Sequence, residues 1–484
     1  MTPQATEPLS TSWGVVTTAP TAAIFAAPPS DPFSEYQPSD VEPWDSRRVN
    51  HLLRRAALGP GHDLGQALIK MSPGAAVNFL LDFDAARDPF NDLLDRMEGF
   101  FNFRSIEDVQ GWCFFRMLDT PRMTQERMAL YWHNHFATSA SKVEQPRLMH
   151  GQIEMFRQKG LGSFRDLVVA IAHDPAMLIW LDGQSSKKGH ANENFAREVM
   201  ELFTLGIGNY TEKDVRELAR AFTGWRIANE KGVFDPKQWD SGEKTAFGVT
   251  GVFNAEAAVD LILAQPAASK FLTKKLLQEF VHPQPMQEHI DHYANRLIEN
   301  KWEIRPFLKE IFTSRMFYSD WAYRSRIKSP VELAIGTVIA LGGKPNTDFI
   351  TKVTARMGQN LLFPPNVKGW DGNEAWINAN TVLVRFNFGL SVATQQQALF
   401  AEKPDIEGML KSRKITTAQQ VVDYFAMMLL DGNVEPAERA KFVDFLLNPP
   451  SHHTNSFVLN HDTFTHRVAD LLHLMMSTPE YQLA

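Results

Sequence analysis

Residues 192–225, NENFAREVMELFTLGIGNYTEKDVRELARAFTGW, constrain the fold more than any other stretch of the chain. At 100° per residue, Phe195, Ala196, Val199, Met200, Leu202 and Phe203 fill one sector of a helical wheel. Glu193, Asn194, Arg197, Glu198, Glu201 and Thr204 fill the opposite one. The pattern predicts an amphipathic helix over 193–204, stopped by Gly206 and Gly208. Thr211 restarts a helix with Asp214 three residues on, a capping box, and Val215, Leu218, Ala219 and Phe222 make its apolar stripe. Arg197 stands four residues from both Glu193 and Glu201, so the three share a face. Such a face is either a solvated ion ladder, worth about 0.5 kcal/mol per pair, or a place for acid–base chemistry.

With 44% apolar residues among 484, the chain can bury a substantial core. A formal charge of −7 and a pI near 6.1 give no support to a nucleic-acid partner. Cys113 is the single cysteine, which excludes an internal disulfide and a cysteine metal cluster. The first 43 residues are rich in Thr, Pro, Ala and Ser, and no Lys or Arg precedes the apolar stretch from Gly14 to Pro28. The basic start of a signal peptide is therefore not recognisable, and no run reaches the ~18 apolar residues of a membrane span. The expectation is a soluble protein with no transmembrane segment, cytoplasmic by lack of a recognisable signal, with periplasmic or exported locations left open.

Helical periodicity recurs over 44–59, 63–83, 106–119, 124–136, 163–181, 255–264, 267–281, 286–298, 305–313, 329–342, 379–398, 417–431, 436–446 and 464–477. Short alternating apolar residues with turn pairs near 226–252 suggest a small hairpin or irregular excursion. The expected fold is mainly α: one large multi-helix body, with residues 1–43 as an extended arm, 44–400 as the helical core and 401–484 as a C-terminal helical segment packed on it. Arg47, Arg48, Arg54 and Arg55 surround the first helix, where arginines more often pack their stems and pair with acids than bind anions.

Two further stretches carry chemistry. In ALYWHNHFATS, His133 and His135 are two apart, so on a regular helix they point roughly opposite ways. They can converge on one ion only if the helix ends at His133; otherwise they are core histidines. The loop forced by Pro364, Pro365 and Gly369 carries Asn366, Lys368, Trp370, Asp371, Trp376 and Asn378. Indole faces beside planar hydrogen-bonding groups suit a sugar, and equally suit a well-packed structural loop.

HLLRRAALG, ALYWHNHFATS, the 192–225 stretch, KSPVEL, MGQNLLFPPNVKGWDGNEAWIN and the terminal PEYQLA together resemble the bacterial family catalogued as domain of unknown function 1800, over roughly 44–484. The resemblance implies a mainly helical protein and supplies no chemistry. It also implies a sulfatase-like or phosphatase-like protein encoded nearby, and so work on envelope or polysaccharide. Where relatives tend to read His-Asp before the Gly and Lys, this chain has Trp239, Asp240, Ser241, Gly242, Glu243 and Lys244.

The leading expectation is a hydrolase acting on a carbohydrate polymer, with Glu193 or Glu201 as the acid and Arg197 fixing a carboxylate charge. Glu198, Asp182 and Asp371 are further acids, because a glycosidase needs two carboxyls flanking one bond. Asn194, Asn366, Trp370, Asp371, Trp376, Asn378 and Trp225 are the substrate-binding candidates. The alternatives are a non-catalytic carbohydrate- or protein-binding scaffold, and an enzyme using a divalent metal held by His133, His135 and acidic residues. The hydrolase reading requires the 193–204 face and the Trp370 loop to line a common cleft, whereas the scaffold needs only the helical body and the aromatic loop.

Overall fold

The computed structural model describes residues 26–82, 103–448 and 464–484. The protein is mainly helical, and the strands among the described residues form three short antiparallel pairs. Two of these fall in the expected excursion: Trp225–Ala228 with Lys231–Phe234, and Lys244–Ala246 with Val249–Gly251. The third joins Lys344–Pro345 to Phe400–Glu402.

The helix Met123–His135 runs through the centre, with Trp132 and His133 wholly buried. Its charged residues are satisfied internally. Glu126 accepts from Arg116 Nε (3.1 Å) and Arg157 Nε (2.9 Å), which ties Ile106–Asp119 and Pro146–Lys159 to it. Trp132, Phe136, Phe156, Phe164 and Phe203 form the aromatic part of the core beside it. Each such side chain contributes about 1.5–3 kcal/mol by burial.

Several expected helices break at proline. The 63–83 stretch is His62–Ile69 and Pro73–Leu81, and 163–181 is Phe164–His173 and Pro175–Trp180. In both, the residue before proline caps the new helix, Ser72 accepting from Ala75 N and Asp174 from Met177 N. The 193–204 helix is α-helical over Glu193–Glu198 and then a π-helix over Val199–Thr204. Two arginines of the helix Ser46–Ala56 are ion-paired: Arg47 with Asp320 (2.5 Å), and Arg54 with Asp431, the C-cap of Ala418–Leu430.

Residues 32–36 of the expected arm lie along the body. Tyr36 N donates to Thr313 O, Arg315 N to Ser34 O, and the Phe33 ring stacks on His292 at 3.8 Å. Residues 1–25 of that arm lie outside the described residues. No described helix is long and apolar enough to cross a membrane.

Candidate functional site

A polar cavity of about 400 Å³ opens between Met123–His135, the helix Pro266–Phe280 and the 368–376 loop. The loop is pinned to the central helix by one side chain. Asn134 Oδ1 accepts from Trp370 N (2.7 Å), and its Nδ2 donates to Trp370 O (3.4 Å). Gly369 makes this approach feasible: its φ is +88°, and a Cβ there would run into Asn134. His133 Nε2 accepts from Leu362 N (3.1 Å), and its ring meets Trp370 edge-on at 5.6 Å between centroids.

The cavity wall is charged. Arg127 and Arg326 both pair with Glu279, and each also reaches Glu332. Burial opposes ionisation of Glu279, but Arg127 and then Arg326 outweigh it and hold the carboxyl below the usual range. Lys368 pairs with Asp371. Lys275 lines the same space with no hydrogen bond or ion pair to any described residue, and burial, reinforced by Lys368, lowers its amine to about 8. Tyr131 lines it too, 6% exposed, and its hydroxyl has no hydrogen-bond partner. Burial first, and then Glu279, pushes that phenol well above its ordinary range.

Three of the sequence motifs meet in this cavity: ALYWHNHFATS, MGQNLLFPPNVKGWDGNEAWIN and, through Ser329, KSPVEL. Residues 51–483 match the family described as protein of unknown function (DUF1800). The chain belongs to the DUF1800 family. No curated protein and no solved structure matches it.

The third long motif of this DUF1800 chain, 192–225, lies on the other side of the central helix. That helix continues to His135, so its two histidines diverge. His133 faces Leu362, whereas His135 Nε2 donates to Phe203 O (3.0 Å). Burial lowers both rings, His133 to about 4. The His133 Nε2 lone pair is taken by Leu362 N–H, and among the described residues no group of three or more metal-ligating side chains occurs. The structure therefore does not bring His133 and His135 together as ligands of one ion.

The common cleft expected for the 193–204 face and the Trp370 loop is not formed either. None of Asp182, Glu193, Arg197, Glu198 and Glu201 lines the cavity. Arg197 instead bridges Glu193 (3.3 Å) and Glu212 (2.6 Å) on the surface. Glu201 accepts from the Tyr210 hydroxyl, and Asp182 pairs with Lys142 at 2.8 Å.

Of the substrate-binding candidates, Trp370, Asp371 and Trp376 line the cavity. Asn194 is exposed, Asn366 accepts from Lys368 N, and Asn378 caps Ala379–Ala393. Trp225 stacks on His173 at 3.6 Å. In the departure at 239–244 the charged residues are paired locally: Asp240 pairs with Arg220 (2.9 Å), and the buried Lys244 donates to Asp240 O (2.6 Å) and Gly242 O (3.0 Å).

Sequence reasoning missed Lys275, Arg127, Glu279, Asn134 and Tyr131. Lys275 and Glu279 stand four apart, the ordinary signature of a solvated helix face. Nothing in that spacing distinguishes a face that lines a cavity.

Proposed function

We propose that the cavity bounded by Trp370, Trp376, Tyr131 and Lys275 is the functional site, and that it binds a saccharide. The observation that carries this reading is the pair of indoles. Both are largely buried, and both line a polar cavity. The volume falls within the usual range of small-ligand sites, and Asn134, Gln278 and Asn373 add planar amides to the wall. Flat apolar faces beside amides and charges are what a sugar ring, with one apolar face and a polar rim, requires.

Hydrolysis by the carboxylates of 193–204 is a second reading, supported by one observation. Burial, reinforced by Glu201, raises the Glu198 carboxyl. Two neighbouring carboxyls in unlike surroundings are the starting point for the division of roles that glycosidases use. These carboxylates lie outside the cavity, so binding is the better-supported reading.

One experiment weighs both. Isothermal titration of the full chain with a panel of oligosaccharides is expected to find binding that Trp376→Ala weakens by about tenfold or more, equivalent to about 1.4 kcal/mol. Circular dichroism verifies that the variant is folded. No binding to any glycan, or full affinity in Trp376→Ala, overturns the saccharide reading. Chain shortening in the same mixtures, lost in Glu198→Gln or Glu201→Gln, transfers the assignment to hydrolysis.

A further inference from the structure

The cavity is unbalanced in its hydrogen-bonding groups. Five of the side-chain acceptors on its wall already hold a donor. The Glu279 carboxylate is clamped by Arg127 and Arg326, and Asp371 by Lys368. Asn134 Oδ1 accepts from Trp370 N, Gln359 Oε1 from Val331 N (3.0 Å), and Asn373 Oδ1 from Ile327 N (2.9 Å). Glu374, exposed at the rim, is the one lining carboxylate without such a donor among the described residues.

Two unused groups deeper in are donors. The Tyr131 hydroxyl is buried without a hydrogen-bond partner, and Lys275 Nζ, 5.5 Å from the centroid of the Phe271 ring, has no ion-pair partner among the described residues. The two side chains belong to neighbouring helices, since the Tyr131 ring lies 5.8 Å from that of Phe280, on the helix that carries Lys275. A buried hydroxyl without an acceptor is costly unless a ligand supplies the missing oxygen, and the half-buried Lys275 ammonium is free to pair with an anion there. Charge points the same way. Arg127 and Arg326 are neutralised by Glu279 and Glu332, and Lys368 by Asp371, which leaves Lys275 as the uncompensated cation.

We propose that the ligand of this cavity carries an oxyanion, a carboxylate or a sulfate ester, received by the Lys275 ammonium and the Tyr131 hydroxyl. The inference rests on the saccharide reading and narrows it to acidic saccharides. Burial and the nearby Lys368 disfavour the charged Lys275 amine, and a bound anion opposes that bias.

The test titrates the full chain with three oligosaccharides of equal length: a neutral cello-oligosaccharide, an oligogalacturonide and a sulfated galactan fragment. The expected result is that one or both acidic ligands bind about tenfold or more tightly than the neutral one, the margin of one charge-assisted hydrogen bond. The acidic arm that binds identifies carboxylate or sulfate. Lys275→Met is expected to remove the margin, read as the ratio of acidic to neutral affinity within that variant, Lys275→Arg to keep most of it, and Tyr131→Phe to reduce it by about threefold. Equal binding of neutral and acidic ligands to the unmodified chain overturns the anion inference and leaves the saccharide reading standing. A margin that persists in Lys275→Met overturns the assignment to Lys275. No binding in any arm overturns both.

Discussion

Asp174 caps the helix Pro175–Trp180 from a position where a carboxylate is poorly solvated. Its Oδ2 accepts from Met177 N (2.8 Å) and Gln152 Nε2 (2.7 Å), yet burial outweighs both and pushes the carboxyl up to about 7. The unfolded chain holds the same group near the ordinary value of about 3.9. Between these limits the folded state binds more protons, so the contribution of Asp174 to stability is fully present below pH 4 and is lost as pH rises through 7. Asp174→Asn keeps an acceptor for Met177 N and cannot ionise. The difference in urea-unfolding free energy, wild type minus variant, is expected to fall by about 2–4 kcal/mol between pH 4 and 8. A difference independent of pH would show that this carboxyl is ionised throughout. The residue types of this chain disclosed some of its chemistry and hid the rest. The i, i+2 spacing of His133 and His135 implies divergence on a regular helix, and they diverge. The free amine of Lys275 had no local signal, because its isolation depends on Glu279 being claimed by arginines more than 40 residues away in either direction.

The segment 362–378 shows how far an element can be read before its partners are known. Pro364, Pro365 and Gly369 announced a loop, and the loop is there; which face it turns to the protein was set by Asn134, on a helix about 230 residues earlier. Gly369→Ala tests that attachment. A methyl at φ +88° costs about 1 kcal/mol for its backbone conformation and must also push Asn134 away. The variant is expected to lose about 1–2 kcal/mol of stability in thermal unfolding, with a red-shifted indole emission and weakened saccharide binding; unchanged emission and affinity would mean that the loop docks without Asn134. Helices with clean apolar stripes were legible, among them Ser46–Ala56, Ile106–Asp119 and Pro330–Leu341. Pro146–Lys159 was missed because Arg147, Gln152, Glu154, Arg157 and Gln158 obscure its stripe of Leu148, Met149, Ile153 and Phe156. The breaks before Pro73 and Pro175 did have a signal, since the residue before proline avoids the helical region. The π-turn over Val199–Thr204 had none, because its composition suits an α-helix equally well.

Across the molecule, the central helix separates two surfaces that looked like one site in the sequence. Periodicity shows which face of a helix is polar, but the side of the body on which that face emerges depends on packing between distant helices. Distant segments are joined instead at Asp431, past the end of Ala418–Leu430. Its carboxylate accepts from Arg54 Nη1 (2.7 Å), Arg324 Nη2 (3.3 Å) and the Tyr323 hydroxyl (2.7 Å), and is only 4% exposed. Burial disfavours its charge, but Arg54 and then Arg324 outweigh that cost and hold the carboxyl far below the usual range. A depressed folded-state value gives stability that is present above the unfolded value of about 3.9 and lost as pH falls below it. Asp431→Asn removes the charge and leaves two buried guanidiniums uncompensated, a change that typically costs 3–5 kcal/mol. The expected outcome at pH 7 is a lower urea midpoint and faster proteolysis within residues 401–448. Adding Arg54→Met to Asp431→Asn is expected to recover part of the loss, because one stranded cation is removed with its partner. If the double variant is less stable than Asp431→Asn by the full cost of Arg54→Met alone, the two residues act independently, and the tie between the first helix and the C-terminal helices must be sought in apolar packing.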